Sequence, residues 1–217
     1  MEETIPGTET AQIPRQRGAS LLETAVRYAE ERHWDVVPGT WLEAVGGEQR
    51  CSCEDPACAL PGAHPARADW ASQATGSATV ARRMWQKQPR AAILLPTGRT
   101  FDALDVPETA GCLALARMER TGLTLGPVTS APDRRMRFFV LPGAAAKVPE
   151  LVRRLGWSPV SLDLAVLGEG EWVAAPPTRY GVRGAVQWAR RPTPANRWLP
   201  DVEELISAVA YACGRTR

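Results

Sequence analysis

The chain has 217 residues, 44% of them hydrophobic, enough to bury a core in one mid-sized domain. Its 26 basic residues against 24 acidic ones leave a formal charge of +2, which excludes a protein that coats polyanions by bulk charge but leaves room for a local basic groove. No run approaches the roughly eighteen apolar residues of a membrane span, and the polar first seventeen residues lack the apolar core of a secretory signal. A cytoplasmic protein is expected, and its cysteines need an explanation other than disulfides.

Residues 1–17, rich in Thr, Glu and Pro with no apolar period, read as a disordered tail, leaving 18–217 as one domain. Ser20 caps an expected amphipathic helix over 20–32, with Leu21, Leu22, Ala25, Val26 and Tyr28 at helical spacing. Residues 34–38 read as a short strand stopped by Pro38, and 40–75 as a Pro/Gly-rich loop. A helix over 77–88 puts Val80, Met84 and Trp85 on one side. A buried strand at 91–95 turns through 96–99 into a second strand at 101–106. The helix expected over 108–120 turns Cys112, Leu115 and Met118 inward. Strands follow at 125–129 and 136–141 about the turn Pro132-Asp133, then a helix at 148–155. Strands at 161–167 and 171–175 join at Gly168, and a capped helix over 201–213 carries Cys213 on its apolar face. Strands and helices mix without strict βαβ alternation, which predicts an α+β fold. Most of the eight tryptophans fall beside helices or prolines and read as core residues, not as a base-stacking platform.

Cys51, Cys53, Cys58 and His64 fall within one loop, about 45–68. Three thiols and an imidazole make the donor set of a closed, structural zinc site, with no open position for a reacting water. Zinc would supply folding energy that a loop poor in apolar residues lacks. For Cys112 and Cys213 the expectation is that of small core residues.

Asp102 and Asp105 share a strand, and alternation sends them to opposite faces. Asp163 is expected on another strand, so that Asp105 and Asp163 could face one cation. The competing expectation is that Asp102 caps a turn and Asp163 pairs with an arginine. Arg134, Arg135 and Arg137 open the strand that runs into Phe138-Phe139, where they could hold a triphosphate or a nucleic-acid backbone. Lys87 and Lys147 are the only lysines, a bias that GC-rich coding also produces.

Taken in order, several stretches resemble the prim-pol family, the bifunctional DNA primase/polymerase N-terminal branch of the archaeo-eukaryotic primase superfamily. They are Tyr28-Ala29-Glu30, residues 34–38, Pro61-Gly62-Ala63-His64-Pro65, Ala74-Thr75, Trp85, Thr97-Gly98, residues 168–178 and Gln187-Trp188. The resemblance spans roughly 20–190 and implies an archaeo-eukaryotic primase-like core with an inserted zinc loop. It also implies an Asp-x-Asp for catalytic metals, a histidine that contacts the incoming triphosphate, and a later aspartate. Here the first reads Asp105-Val106-Pro107, the second reads Arg134-Arg135-Met136, and Asp163 matches the third. Mg or Mn at Asp105 and Asp163 is the cofactor of an active enzyme, and two-metal transfer asks for more carboxylates than these. The expectation is a prim-pol core with lost or weakened nucleotidyl transfer, acting by binding nucleotide, or single-stranded or template DNA, with an unknown protein partner. An active primase/polymerase and a zinc-stabilised protein-interaction module are the alternatives.

Overall fold

The computed structural model describes residues 19–215, so the tail expected at 1–17 lies outside the described residues. In chain order the elements are α1 (Leu21–Arg32), β1 (Val37–Pro38), β2 (Leu42–Val45), β3 (Glu48–Cys51), α2 (Ala78–Lys87), β4 (Ile93–Pro96), β5 (Asp102–Pro107) and α3 (Glu108–Arg120). They continue with β6 (Val128–Ala131), β7 (Arg135–Val140), α4 (Ala144–Arg154), β8 (Ala165–Leu167), β9 (Trp172–Ala174), β10 (Gln187–Arg190) and α5 (Val202–Arg215). The strands form a five-stranded sheet in the order β10-β6-β7-β5-β8, a three-stranded sheet β1-β4-β9 and the hairpin β2-β3, all antiparallel. Helices beside antiparallel sheets give the mixed α+β architecture expected from the pattern.

Local chemistry accounts for the helix starts. Ser20 and Glu23 form a reciprocal capping box at α1, and Ser77 accepts from the Val80 N–H at α2. α4 is capped from a distance: the Asp102 carboxylate, 1% exposed, accepts from the N–H groups of Gly143 at 3.0 Å and Ala145 at 3.3 Å. That partner lies on β5, so α4 starts a turn before the expected 148 and carries Pro149 inside it.

Strand alternation divides the core. Leu104 and Val106 of β5 and Met136, Phe138 and Val140 of β7 lie beneath α3, α4 and α5. Ala103 and Phe139 lie on the other face, with Phe101, Trp34, Trp85 and the residues Ile93, Leu95 and Val173 of the smaller sheet. Phe101 stacks on Phe139 at 4.4 Å, and Trp34 stands 5.2 Å from Phe139. Both sheets therefore share this second core. Gly98 sets the approach of the β4–β5 turn to the segment before β9: its φ is +97°, and a Cβ there would stand 2.5 Å from the Glu169 Cα.

Several expectations are corrected. The loop expected over 40–75 contains the β2-β3 hairpin, closed by Gly46-Gly47 with φ of 60° and 86°, the two-residue turn that needs positive φ at both positions. Asp163 lies in a bend ahead of β8 with its side chain 66% exposed, so it is not an aspartate inside an apolar strand. β8 and β9 belong to different sheets, because β8 pairs with β5 and β9 with β4. Cys112 is an exposed residue of α3 whose thiol nevertheless reaches the buried Met136 sulfur, while Ala110, Ala114 and Met118 are among the buried residues of that helix; Cys213 is buried as expected.

Candidate nucleotide and metal sites

On the face opposite Asp102, the pairing register sets Asp105 of β5 beside Arg137 of β7, and Arg137 beside Thr129 of β6. Both oxygens of Asp105 meet guanidinium groups. Oδ1 is 3.1 Å from Arg137 Nε, and Oδ2 accepts from Arg135 Nε at 3.1 Å. Arg135 also donates to the Asp105 backbone carbonyl at 3.0 Å and to Asp163 Oδ1 at 2.7 Å. Arg137 continues to Asp133 Oδ2 at 2.7 Å. Three carboxylates are thus joined by two arginines on adjoining strand ends and turns, and both guanidiniums are largely buried. Burial opposes their charge, but the carboxylates hold both arginines firmly protonated. Burial pushes the Asp105 carboxyl up, and Arg137 and Arg135 pull it back. Tyr180, 3% exposed, lies within the field of this cluster, and burial pushes its hydroxyl up to about 12.

The structure brings the expected Asp105, Asp163, Arg135 and Arg137 together. Arg134 stands apart at the β6–β7 turn, 78% exposed, with φ of +62° and a 3.8 Å ion pair to Glu108. Met136 points away: it is buried against α3, with the Cys112 thiol 3.6 Å from its sulfur. The β7 residues on the Asp105 face are therefore Arg135 and Arg137, and Met136 lies on the helix side of the sheet. Alternation along the strand carried that signal. Asp133 and Tyr180 were missed. Asp133 reads only as a turn residue, and no local pattern ties Tyr180 to a strand more than 40 positions earlier.

A second cluster sits at the end of β3. The donor atoms of Cys51, Cys53, Cys58 and His64 all lie within 4.8 Å of one another, so the four could hold a metal ion. The His64 Nε2 is 3.4 Å from both the Cys51 and Cys58 sulfurs. Around an ion with tetrahedral bonds of about 2.3 Å to sulfur and 2.0 Å to nitrogen, that edge would measure about 3.5 Å. His64 Nδ1 lies 2.9 Å from the Pro65 carbonyl, which keeps Nε2 turned to the sulfurs. Burial opposes ionisation of Cys51, but N–H groups of Cys53 and Gly62 bring its thiol down to about 6, the anionic form a metal needs. Burial, with the neighbouring sulfurs, pushes Cys58 up to about 12. The donor set, the spacing and the oriented imidazole all fit zinc.

Backbone approach places His64. Thr40 N–H donates to its carbonyl at 2.8 Å, and a Cβ on Gly39 would sit 2.8 Å from the same oxygen. The loop also reaches the segment that carries Tyr180, through Gly181 N–H to the Pro61 carbonyl at 2.8 Å and Arg183 to the Ala59 carbonyl at 3.1 Å.

The sequence model of the bifunctional DNA primase/polymerase N-terminal (Prim-Pol) family matches residues 25–198. The chain belongs to that family. The match runs from within α1 to beyond β10 and so includes both clusters. A Prim-Pol domain supports a DNA primase/polymerase-like function and the binding of nucleotide or DNA. No curated protein matches the chain. Among the described residues of this Prim-Pol protein, no helix is long and apolar enough to cross a membrane.

Proposed function

We propose that residues 18–217 form one archaeo-eukaryotic primase-like domain that binds nucleotide or single-stranded DNA and has lost nucleotidyl transfer. The observation that carries this reading is the pair of guanidiniums on Asp105, with Arg135 reaching on to Asp163 and Arg137 to Asp133. Two-metal phosphoryl transfer requires carboxylates free to neutralise two divalent cations. Here the carboxylates are already neutralised by tethered cations, and Pro107 stands where the resemblance expects a second metal-binding aspartate. Mg or Mn at Asp105 and Asp163 would have to displace Arg135 first.

Arg134 is the arginine of the three best placed to meet a phosphate, because it is exposed at the rim while Arg137 is committed to Asp105 and Asp133. The zinc ion at Cys51, Cys53, Cys58 and His64 has a structural role in this reading: four protein ligands leave no position for a substrate.

The test is extension of primed and unprimed DNA templates with magnesium and, separately, manganese, alongside Asp105→Ala and Asp163→Ala. No extension is expected, with labelled nucleotide or oligothymidylate still bound and binding weakened by Arg134→Ala. Extension that disappears in both aspartate variants would establish a divergent polymerase instead. A folded, zinc-loaded protein with neither extension nor binding would leave the interaction-module reading.

A further inference from the structure

The outer faces of α3 and α5 enclose a groove of about 230 Å³ on the side of the helix layer turned away from the five-stranded sheet. Leu113, Ala116, Arg117 and Arg120 line it from α3, and Ala208, Tyr211 and Arg215 from α5, in both cases at helical spacing. The alanines keep the floor low, and Leu113 is 42% exposed beside it. The rim is cationic. Among the described residues, none of Arg117, Arg120 and Arg215 makes an ion pair with a carboxylate. Two of them are held in place: Arg117 lies 5.1 Å and Arg215 5.8 Å from the centre of the Tyr211 ring, and Arg215 also donates to the Tyr211 hydroxyl at 3.0 Å. Guanidiniums fixed on an aromatic ring have already lost much of the freedom that binding would cost.

We infer that this groove docks a short acidic segment of a partner protein, its apolar side chain on the alanine floor against Leu113 and its flanking carboxylates on the three arginines. Two observations favour an acidic peptide over nucleic acid. The Tyr211 ring is engaged by Arg117 and Arg215 and is not free to stack a base. A phosphate backbone would use the cations alone, whereas the floor offers apolar contact between them. The groove lies on a different face from the Asp105 cluster, so the inference does not depend on whether nucleotidyl transfer survives.

The experiment uses the full chain and fluorescence anisotropy with a labelled Glu-Asp-Leu-Phe-Asp-Glu peptide, a Ser-Ser version of it, and oligothymidylate. Binding of the Leu-Phe peptide is expected, weakened by salt and by replacing Leu-Phe with Ser-Ser. The double variant Arg117→Ala/Arg120→Ala should raise its Kd about tenfold, or about 1.4 kcal/mol. Leu113→Ser should weaken it without changing the salt dependence. All three side chains are exposed, and thermal melts monitored by circular dichroism check that the variants stay folded. Absence of arginine-dependent peptide binding overturns the proposal. So does equal affinity for both peptides, or oligothymidylate binding through the same arginines in preference to the Leu-Phe peptide.

Discussion

Arg137 is buried between two carboxylates, Asp105 and Asp133, and its removal would leave Asp105 with Arg135 as its only cation among the described residues. Breaking a buried pair on one side costs several kcal/mol when the other charge is stranded. Because Arg135 stays in place, Arg137→Ala should cost less, about 2 kcal/mol, read as a lower urea midpoint at unchanged slope. Arg134 behaves in the opposite sense. Its φ of +62° is a conformation that glycine adopts without penalty, so Arg134→Gly should raise stability by about 0.5–1 kcal/mol while weakening nucleotide binding. A stability gain coupled to a loss of binding is a combination that a merely structural Arg134 would not give. At this scale the sequence was informative about which residues matter and less so about what they touch. Asp102 and Asp105 separate onto two faces as period-two alternation requires, yet the same rule, carried to β7, turns Met136 into the core and brings Arg135 and Arg137 to Asp105.

The cysteine loop shows how an element with little apolar surface can be held. β3 delivers Cys51, the turn beyond it delivers Cys53 and Cys58, and the close approach at Gly39 returns His64. Metal analysis of protein purified without added zinc should give about one equivalent per chain. Cys58→Ser should lose it, and the amides of β2 and β3 should then exchange faster with solvent. A metal-free protein with protected β2 and β3 amides would refute the structural role. The legibility of the elements followed the range of their determinants. α1 and α2 carry their caps in the adjoining residues and start where the pattern predicts. The Gly46-Gly47 hairpin signal was equally local but was submerged in a stretch rich in Pro and Gly. α4 was misplaced because its cap is Asp102, about forty positions earlier, which no reading of its own sequence contains.

In the whole molecule, both sheets contribute to one aromatic core around Phe139, Phe101 and Trp34. Neither sheet can open without exposing the other's apolar face, so the zinc-loaded protein should unfold in one transition, with calorimetric and van't Hoff enthalpies equal. Two resolved transitions would mean that the sheets are separate folding units. The order of strands within each sheet was not legible. It depends on pairings such as β5 with β8 and β10 with β6, whose partners lie about sixty residues apart.

The arginines on Asp105 also bear on how such a site could change over generations. A tethered guanidinium is held beside its carboxylate, so it competes with a free cation as an intramolecular partner. Loss of Arg137 alone leaves a buried carboxylate undercompensated, and loss of Asp105 alone leaves Arg135 only Asp163 and Arg137 only Asp133 among the described residues. Each single step is destabilising, so a return to a metal-accepting site would need coordinated replacements. On the proposed reading the network works as a ratchet: once the arginines had taken the carboxylates, selection for a stable fold was enough to keep them there.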